Sequence, residues 1–275
     1  MLSAPAVREA ADHEVALACD LLRRAGFGTQ VGRLLEYPRR SPAGAILLAD
    51  GPQGPIGVAC CASFGATGWI GALGVAPEAR RQGTGSALTE GAVAWLRQQG
   101  AVTVLLYATE AGRPVYERLG FESEGRATAW RGVAGSAPGV PLRHLAERDR
   151  DGLRAVDRAA TGEDRGAVLD VIAPLAGVAA DGPGDGLDGW ALTSPWGAGA
   201  AIAATDPAAG IALMAAASRG PGPGTLVVPD ANEPAREALR SWRFVRLNDA
   251  LRMRLGPPVA WAPERQFGLF NLFWG

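Results

Sequence analysis

Along the first half of the chain, apolar positions switch between helical and extended spacing in a readable order. Residues 12–25 place Val15, Leu17, Ala18, Leu21 and Leu22 at helical spacing, and Gly26 is suited to close that helix. Apolar runs then predict strands at Ala45–Ala49, Ile56–Phe64 and Trp69–Val75, punctuated by DGPQG and GATG turns. A helix follows over Gly83–Gln99, with Ala87, Leu88, Ala92, Trp95 and Leu96 on one face and Gly100 past its end. Ala101–Tyr107 reads as a buried strand. Pro114–Leu119 reads as a short helix with Gly120 after it, and Glu124–Trp130 as one more strand.

The stretch GVAGSAPGVP that begins at Gly132 is rich in Gly, Pro and Ser and has no periodicity, which predicts a linker over 132–140. Beyond it, Leu153–Leu175 is mostly helical in pattern. Strands are expected at Gly177–Ala180, Gly189–Thr193, Ala200–Ala204 and Thr225–Val228, followed by a charged helix at Glu233–Trp242 and the segment Val245–Leu255. The aromatic tail FGLFNLFW suits a late strand or an interface. Trp69, Val75 and Gly83 match Trp196, Ile202 and Gly210 at one constant offset, and the two halves share an order of elements. An internal duplication is therefore expected, with domains at 1–131 and 141–275.

Composition narrows the partners. The chain has 275 residues and a net charge of −1, so it lacks the basic excess that nucleic acid or anionic lipid would require. Hydrophobic residues make up 48% and charged ones 20%, enough to bury a core. There is no lysine at all, which fits the coding bias of a GC-rich bacterial genome. Cys19, Cys60 and Cys61 are too few for a disulfide framework and read as small buried hydrophobes. The most apolar later stretch, Gly197 to Ala217, is broken by Asp206 and Pro207, and the N-terminal residues carry charges throughout. No membrane partner is expected, and the expected location is cytoplasmic.

Chemistry concentrates in Leu73–Leu88, LGVAPEARRQGTGSAL. A strand ends at Val75, a loop carries Arg80 and Arg81, and Gly83-Thr84-Gly85 opens a helix. Glycines allow close backbone approach, and the free N–H groups and dipole of a helix N-terminus favour an anion. The arginines add charge and donors suited to phosphate. The lysine of a Walker loop and the third glycine of the dinucleotide fingerprint are both absent. An ordinary tight connection is the plain alternative.

Arg80-Arg81-Gln82-Gly83-Thr84-Gly85 resembles the R-x-x-G-x-G signature of the GNAT superfamily of acyl-CoA-dependent N-acetyltransferases, with Val75-Ala76-Pro77-Glu78 as its V-x-P-E lead-in. TEAGRPVYERLGFE, from Thr109 to Glu122, is similar to the family's second signature. The resemblance spans residues 1 to about 131 and implies an α/β (α+β) fold. Each of two GNAT-like domains would be a mixed, mostly antiparallel splayed sheet flanked by helices. It further implies that the strand edge at Leu73, Gly74 and Val75 binds the pantetheine arm of acetyl-CoA, as an added strand does. A bulge would open a notch for the acyl group. Backbone N–H groups from Arg81 through Gln82, Gly83, Thr84 and Gly85 to Ser86 would hold the pyrophosphate, and the N–H of Val75 would face the oxyanion. Tyr116 stands at the family's position for protonating the departing thiolate.

A carboxylate base often lies on the strand before the cradle in this family, and Trp69-Ile70-Gly71-Ala72-Leu73 offers none. Glu110 is a substitute or a solvated loop residue, while His13 and His144 read as surface or capping residues. In the second half Gly210-Ile211-Ala212 keeps the cradle spacing. However, Pro207 replaces Arg80 there, and Leu239 replaces Tyr116 when Phe244 is set against Phe121. That half is therefore expected to be degenerate and not to bind acyl-CoA productively. The expected activity is acetyl transfer to a primary amine of a small molecule or peptide, without a metal. A non-catalytic acyl-CoA sensor or scaffold is the alternative. A homodimer is left open, and acceptor specificity is assigned to loops, 27–42 among them.

Overall fold

Short apolar runs separated by glycine turns produce an antiparallel meander in the N-terminal half. In the computed structural model, which describes residues 5–172, 176–184, 186–193, 199–220 and 222–275, it consists of β2 (Gly44–Gly51), β3 (Gly54–Phe64) and β4 (Thr67–Val75). β1 (Ala6–Glu9) pairs with the outer side of β2. β5 (Thr103–Ala108) runs parallel to β4, a pairing that needs a crossover, and α3 (Thr84–Gln98) supplies it. The predicted face of α3, Ala87, Leu88, Ala92, Trp95 and Leu96, is its buried face. α1 (Val15–Ala25) ends at Gly26, which takes the left-handed φ of 107° that a residue with a Cβ avoids. α4 (Arg113–Arg118) and β6 (Glu122–Gly132) follow β5.

Two departures from the sequence pattern lie in this half. The segment 27–42, expected to be loop, contains α2 (Val31–Arg40), which buries Val31, Leu35, Tyr37 and Pro38. β1 was not foreseen, because it is exposed apart from the half-buried Val7. Cys19, Cys60 and Cys61 are free and buried, as expected.

The second half contains β7 (Arg143–His144), α5 (Arg150–Thr161), α6 (Gly166–Asp170), β8 (Gly177–Asp181), β9 (Leu187–Thr193) and β10 (Ala200–Ala204). It continues with α7 (Pro207–Ala217), β11 (Gly224–Pro229), α8 (Glu233–Ser241), β12 (Val245–Leu255) and β13 (Gln266–Gly268). The helical reading of Leu153–Leu175 is met by α5 and α6 as far as Asp170, and residues 173–175 lie outside the described residues. The aromatic tail is a strand only over Gln266–Gly268. Trp196, one of the three duplication markers, also lies outside the described residues.

Contacts divide the chain into two compact units. Unit 1 is Met1–Glu124 with Arg252–Pro258 and Trp274, and unit 2 is Gly125–Leu251 with Val259–Phe273 and Gly275. Both β6 and β12 are thus divided: each begins in one unit and ends in the other. In unit 1 the sheet runs β1-β2-β3-β4-β5, then the Arg252–Leu255 end of β12, then the start of β6. In unit 2, β7, β8, β9, β10 and β13 form one antiparallel sheet. β11 pairs with the Ala127–Gly132 part of β6. Ile202, Leu213, Met214, Leu226, Leu239 and Phe267 pack in the core of this unit. Unit 1 carries a mixed, mostly antiparallel sheet and unit 2 an antiparallel one, each with flanking helices, in keeping with the α/β fold class expected. Residues 133–142 form no helix or strand and fall within unit 2.

Candidate active site

The center of unit 1 is a parting of two strands. The β4–β5 ladder runs from Thr67↔Thr103 to Ile70↔Leu106 and ends there. On its other side β4 pairs Gly71 with Cys60 and Gly74 with Val58, so Ala72 and Leu73 together oppose one residue of β3. This is a β-bulge, and Ala72 carries it with a φ of 46°. The backbone N–H of Ala76 donates to Ile56 O at 2.9 Å. Alternate residues of an antiparallel strand point their N–H groups to opposite sides, so the N–H of Val75 points away from β3, into the gap left by β5. That is the orientation an oxyanion donor requires.

The connection from β4 to α3 forms a concave backbone. A 3-10 turn covers Pro77–Ala79, Arg81 takes a φ of 62°, and Gly83 takes 85° as the N-cap of α3. Among the described residues only Ala72, Arg81 and Arg243 combine a side chain with positive φ, and the first two flank this site. No side chain caps α3, so its first N–H groups are left for another partner. Space is available too: a Cβ at Gly83 would meet nothing within 4 Å, and one at Gly85 only Val75 Cγ2 at 4.0 Å. Thr84 is buried and donates through Oγ1 to Ala79 O at 3.2 Å, while Gln82 Nε2 donates to Glu78 O at 2.8 Å. Both side chains brace the turn. Ser86 is half-buried in the first turn of α3, and Leu73 half-buried on β4.

Arg80 lies exposed on the same loop. Its Nε donates to Val75 O at 3.2 Å and its terminal nitrogen to Ala25 O at 3.1 Å. Arg80 ties the loop to the ends of β4 and α1. Arg81 is exposed.

Tyr116 sits on α4, buried, with Phe121 edge-to-face at 5.8 Å. Gly112 leaves its ring room, since a Cβ there would lie 3.2 Å from Tyr116 Cε2. Burial pushes the phenol up to about 12, so it holds its proton at every physiological pH. β4 and β5 contain no acid, Glu110 is exposed beyond β5, and His13 and His144 are exposed. Among the described residues no cluster of His, Cys, Asp and Glu is suited to a metal ion. Arg252 of β12, part of this unit, has no neighbour in sequence that would have marked it.

Residues 17–121 match the family described as Acetyltransferase (GNAT) family. This stretch is a GNAT acetyltransferase domain. Acyl-CoA-dependent N-acyl transfer is the activity such a domain carries, and the chain is an enzyme of that kind. A putative acetyltransferase from Pyrococcus horikoshii has the same fold over 100% of this chain and 97% of its own, with a TM-score of 0.81 at 19% identity. A GCN5-related N-acetyltransferase from Sphaerobacter thermophilus aligns over 94% of this chain and 100% of its own, with a TM-score of 0.65 at 15% identity. One from Anabaena variabilis covers 90% of this chain and 72% of its own, with a TM-score of 0.56 at 13% identity. No curated protein sequence matches the chain significantly.

Unit 2 builds its own strand–helix junction differently. β10 reaches α7 through Thr205 and Asp206 alone, with no loop resembling Ala76–Gly83. Asp206 caps α7 by accepting from Ala209 N at 2.8 Å, which puts a carboxylate where the first unit leaves free N–H groups. Gly210 is therefore not a cradle glycine. It lies inside α7, and a Cβ there would stand 2.4 Å from the ring of Phe267. β13 pairs with β10 through Ile202↔Gly268, and Leu269 N donates to Val227 O at 2.9 Å, so the tail bridges β10 and β11. Leu239 matches Tyr116 in local geometry: Phe244 N donates to Leu239 O at 2.9 Å, as Phe121 N donates to Tyr116 O at 3.0 Å.

Proposed function

We propose that unit 1 transfers an acetyl group from acetyl-CoA to a primary amine of a small molecule or peptide, by direct attack. The observation that carries this reading is the Val75 N–H aimed into the β4–β5 gap beside an uncapped helix N-terminus. The edge Leu73-Gly74-Val75 binds the pantetheine arm, and the N–H groups of Arg81 to Ser86 hold the pyrophosphate with help from the Arg81 guanidinium. The amine lone pair attacks the thioester carbonyl carbon and a C–N bond forms. The Val75 N–H stabilises the oxyanion. The C–S bond then breaks, the thiolate takes the proton of Tyr116, and the proton shed by the new amide nitrogen passes to solvent and restores the phenol. A phenol raised to about 12 is a weak acid for an ordinary thiolate. The burial that raises it, and that raises Cys60 and Cys61 of this chain, raises a sulfur held beside it in the same direction.

Residues 141–275 we read as a degenerate GNAT-like domain in tandem with the first, joined through 132–140, which binds no acetyl-CoA. A cytoplasmic site of action fits a chain in which no described helix is long and apolar enough to cross a membrane. The test is thiol release from acetyl-CoA over an amine panel, with calorimetry for stoichiometry. One acetyl-CoA per chain and a loss of about a hundredfold or more in kcat for Tyr116→Phe are expected. Full activity of that variant removes Tyr116 from the mechanism.

A further inference from the structure

The acceptor side of the gap has a floor that the cofactor reading leaves unused. A Cβ at Gly68 would lie 2.6 Å from Leu96 of α3, so Gly68 faces α3 and Trp69, the next residue on β4, faces away from it. Trp69 is buried and stacks on Tyr107, with ring centroids 5.5 Å apart and planes at 23°. The guanidinium of Arg252 lies 5.4 Å from the Trp69 centroid. Arg252 is 1% exposed, and its ion pair with Glu124 holds it there. Glu124 in turn pairs with Arg254 at 2.9 Å. A guanidinium this buried is retained only with both a carboxylate partner and a favourable ring face. Tyr107 is the first residue beyond Leu106, where the ladder ends, and it is half-buried at the gap. Gly71, next after Trp69 on the same face of β4, adds no side chain to cover it.

We propose that Arg252 is a positioning residue for the acceptor. It holds Trp69 and Tyr107 as an aromatic floor on the face of the sheet away from α3, and the acceptor is an amine whose skeleton carries an aromatic ring that lies on Tyr107. This rests on the reading that places the thioester at Val75: with the pyrophosphate on the α3 side, the amine reaches the carbonyl from the opposite side, past Tyr107. The guanidinium is needed rather than any cation, because a planar group can lie against a ring face while its N–H fork holds a carboxylate such as Glu124.

The experiment compares two nucleophiles in the full chain: hydroxylamine, corrected for its uncatalysed reaction and too small to need a floor, and 2-phenylethylamine. Arg252→Lys keeps the charge and loses the planar group. Tyr107→Ala removes the floor at a half-exposed position and guards against a folding defect in the first variant. The ratio of kcat/KM for 2-phenylethylamine to that for hydroxylamine is expected to fall about tenfold in each, mostly through the KM of the aromatic amine, with acetyl-CoA still bound by calorimetry. A ratio equal to that of the parent chain in both variants overturns the proposal. So does parent-chain turnover of hydroxylamine with none of 2-phenylethylamine. Absence of acetyl-CoA binding to the parent chain overturns the underlying reading instead, and the calorimetry separates that failure from the others.

Discussion

The two units place a strand before a helix in the same order and use the junction in opposite ways. In unit 1 the residues Ala76–Gly83 intervene between β4 and α3, with strained backbone at Arg81 and an uncapped helix. In unit 2 Thr205 and Asp206 suffice, and the helix is capped by the chain's own carboxylate. Unit 1 leaves its strands parted beyond Ile70, while unit 2 bridges β10 and β11 with residues of its tail. A strand–helix junction that leaves backbone groups unsatisfied is suited to bind a partner, and one that satisfies them from within is suited to packing.

This contrast can be broken most directly at the glycines. Gly85→Leu places a side chain in open space at the start of α3 and is expected to lower acetyl-CoA affinity about a hundredfold, with no loss of thermal stability. An affinity close to that of the parent chain places the pyrophosphate elsewhere. Gly210→Ala drives a Cβ against Phe267 and is expected to cost about 1–3 kcal/mol of unfolding free energy by urea titration, with acetyl-CoA affinity kept. A reversed pattern, weak binding with full stability, makes α7 a second cradle. Asp206→Ala removes a cap and is expected to cost about 1 kcal/mol by the same measurement.

The smallest effect is on acid stability. Hydrogen bonds from Arg8 hold the Glu14 carboxyl down at about 2, and guanidinium partners Arg143 and Arg126 hold Asp149 and Asp249 below the usual range. A depressed folded-state pKa contributes stability above the unfolded value, lost as pH falls through the folded one. The melting temperature is therefore expected to fall below about pH 4 and to change little between about pH 5 and 8. The arginine partners of these carboxylates are partly exposed, so solvent screening keeps each contribution small. Glu14 belongs to unit 1 and the two aspartates to unit 2. Two separate acid transitions, followed by circular dichroism, mean that the halves lose structure independently.

What the sequence disclosed follows the range of the interactions involved. α3 and the closing turn at Gly120 rest on local periodicity and glycine placement, and they match the pattern closely. α2 was hidden by Pro38, a helix breaker by local rules that tertiary burial overrides. The cradle was readable because its glycines and helix start are consecutive. The hydrogen bond of Arg80 to the carbonyl of Ala25 was not, since that acceptor lies on another helix. Arg252 lay further out of sight: its partners Trp69 and Glu124 are brought to it only by the assignment of the end of β12 to unit 1.

That assignment governs how the protein is made. While the ribosome is still adding residues short of Arg252, the nascent first half has all of its signature motifs and lacks one strand of its sheet. The sheet of unit 1 is therefore expected to be completed only after Arg252–Leu255 has been made. Cutting at the Gly/Pro-rich stretch 132–140 separates Arg252–Pro258 from the rest of unit 1 and Gly125–Arg131 from the rest of unit 2, so the two fragments are expected to be more soluble when produced together than apart.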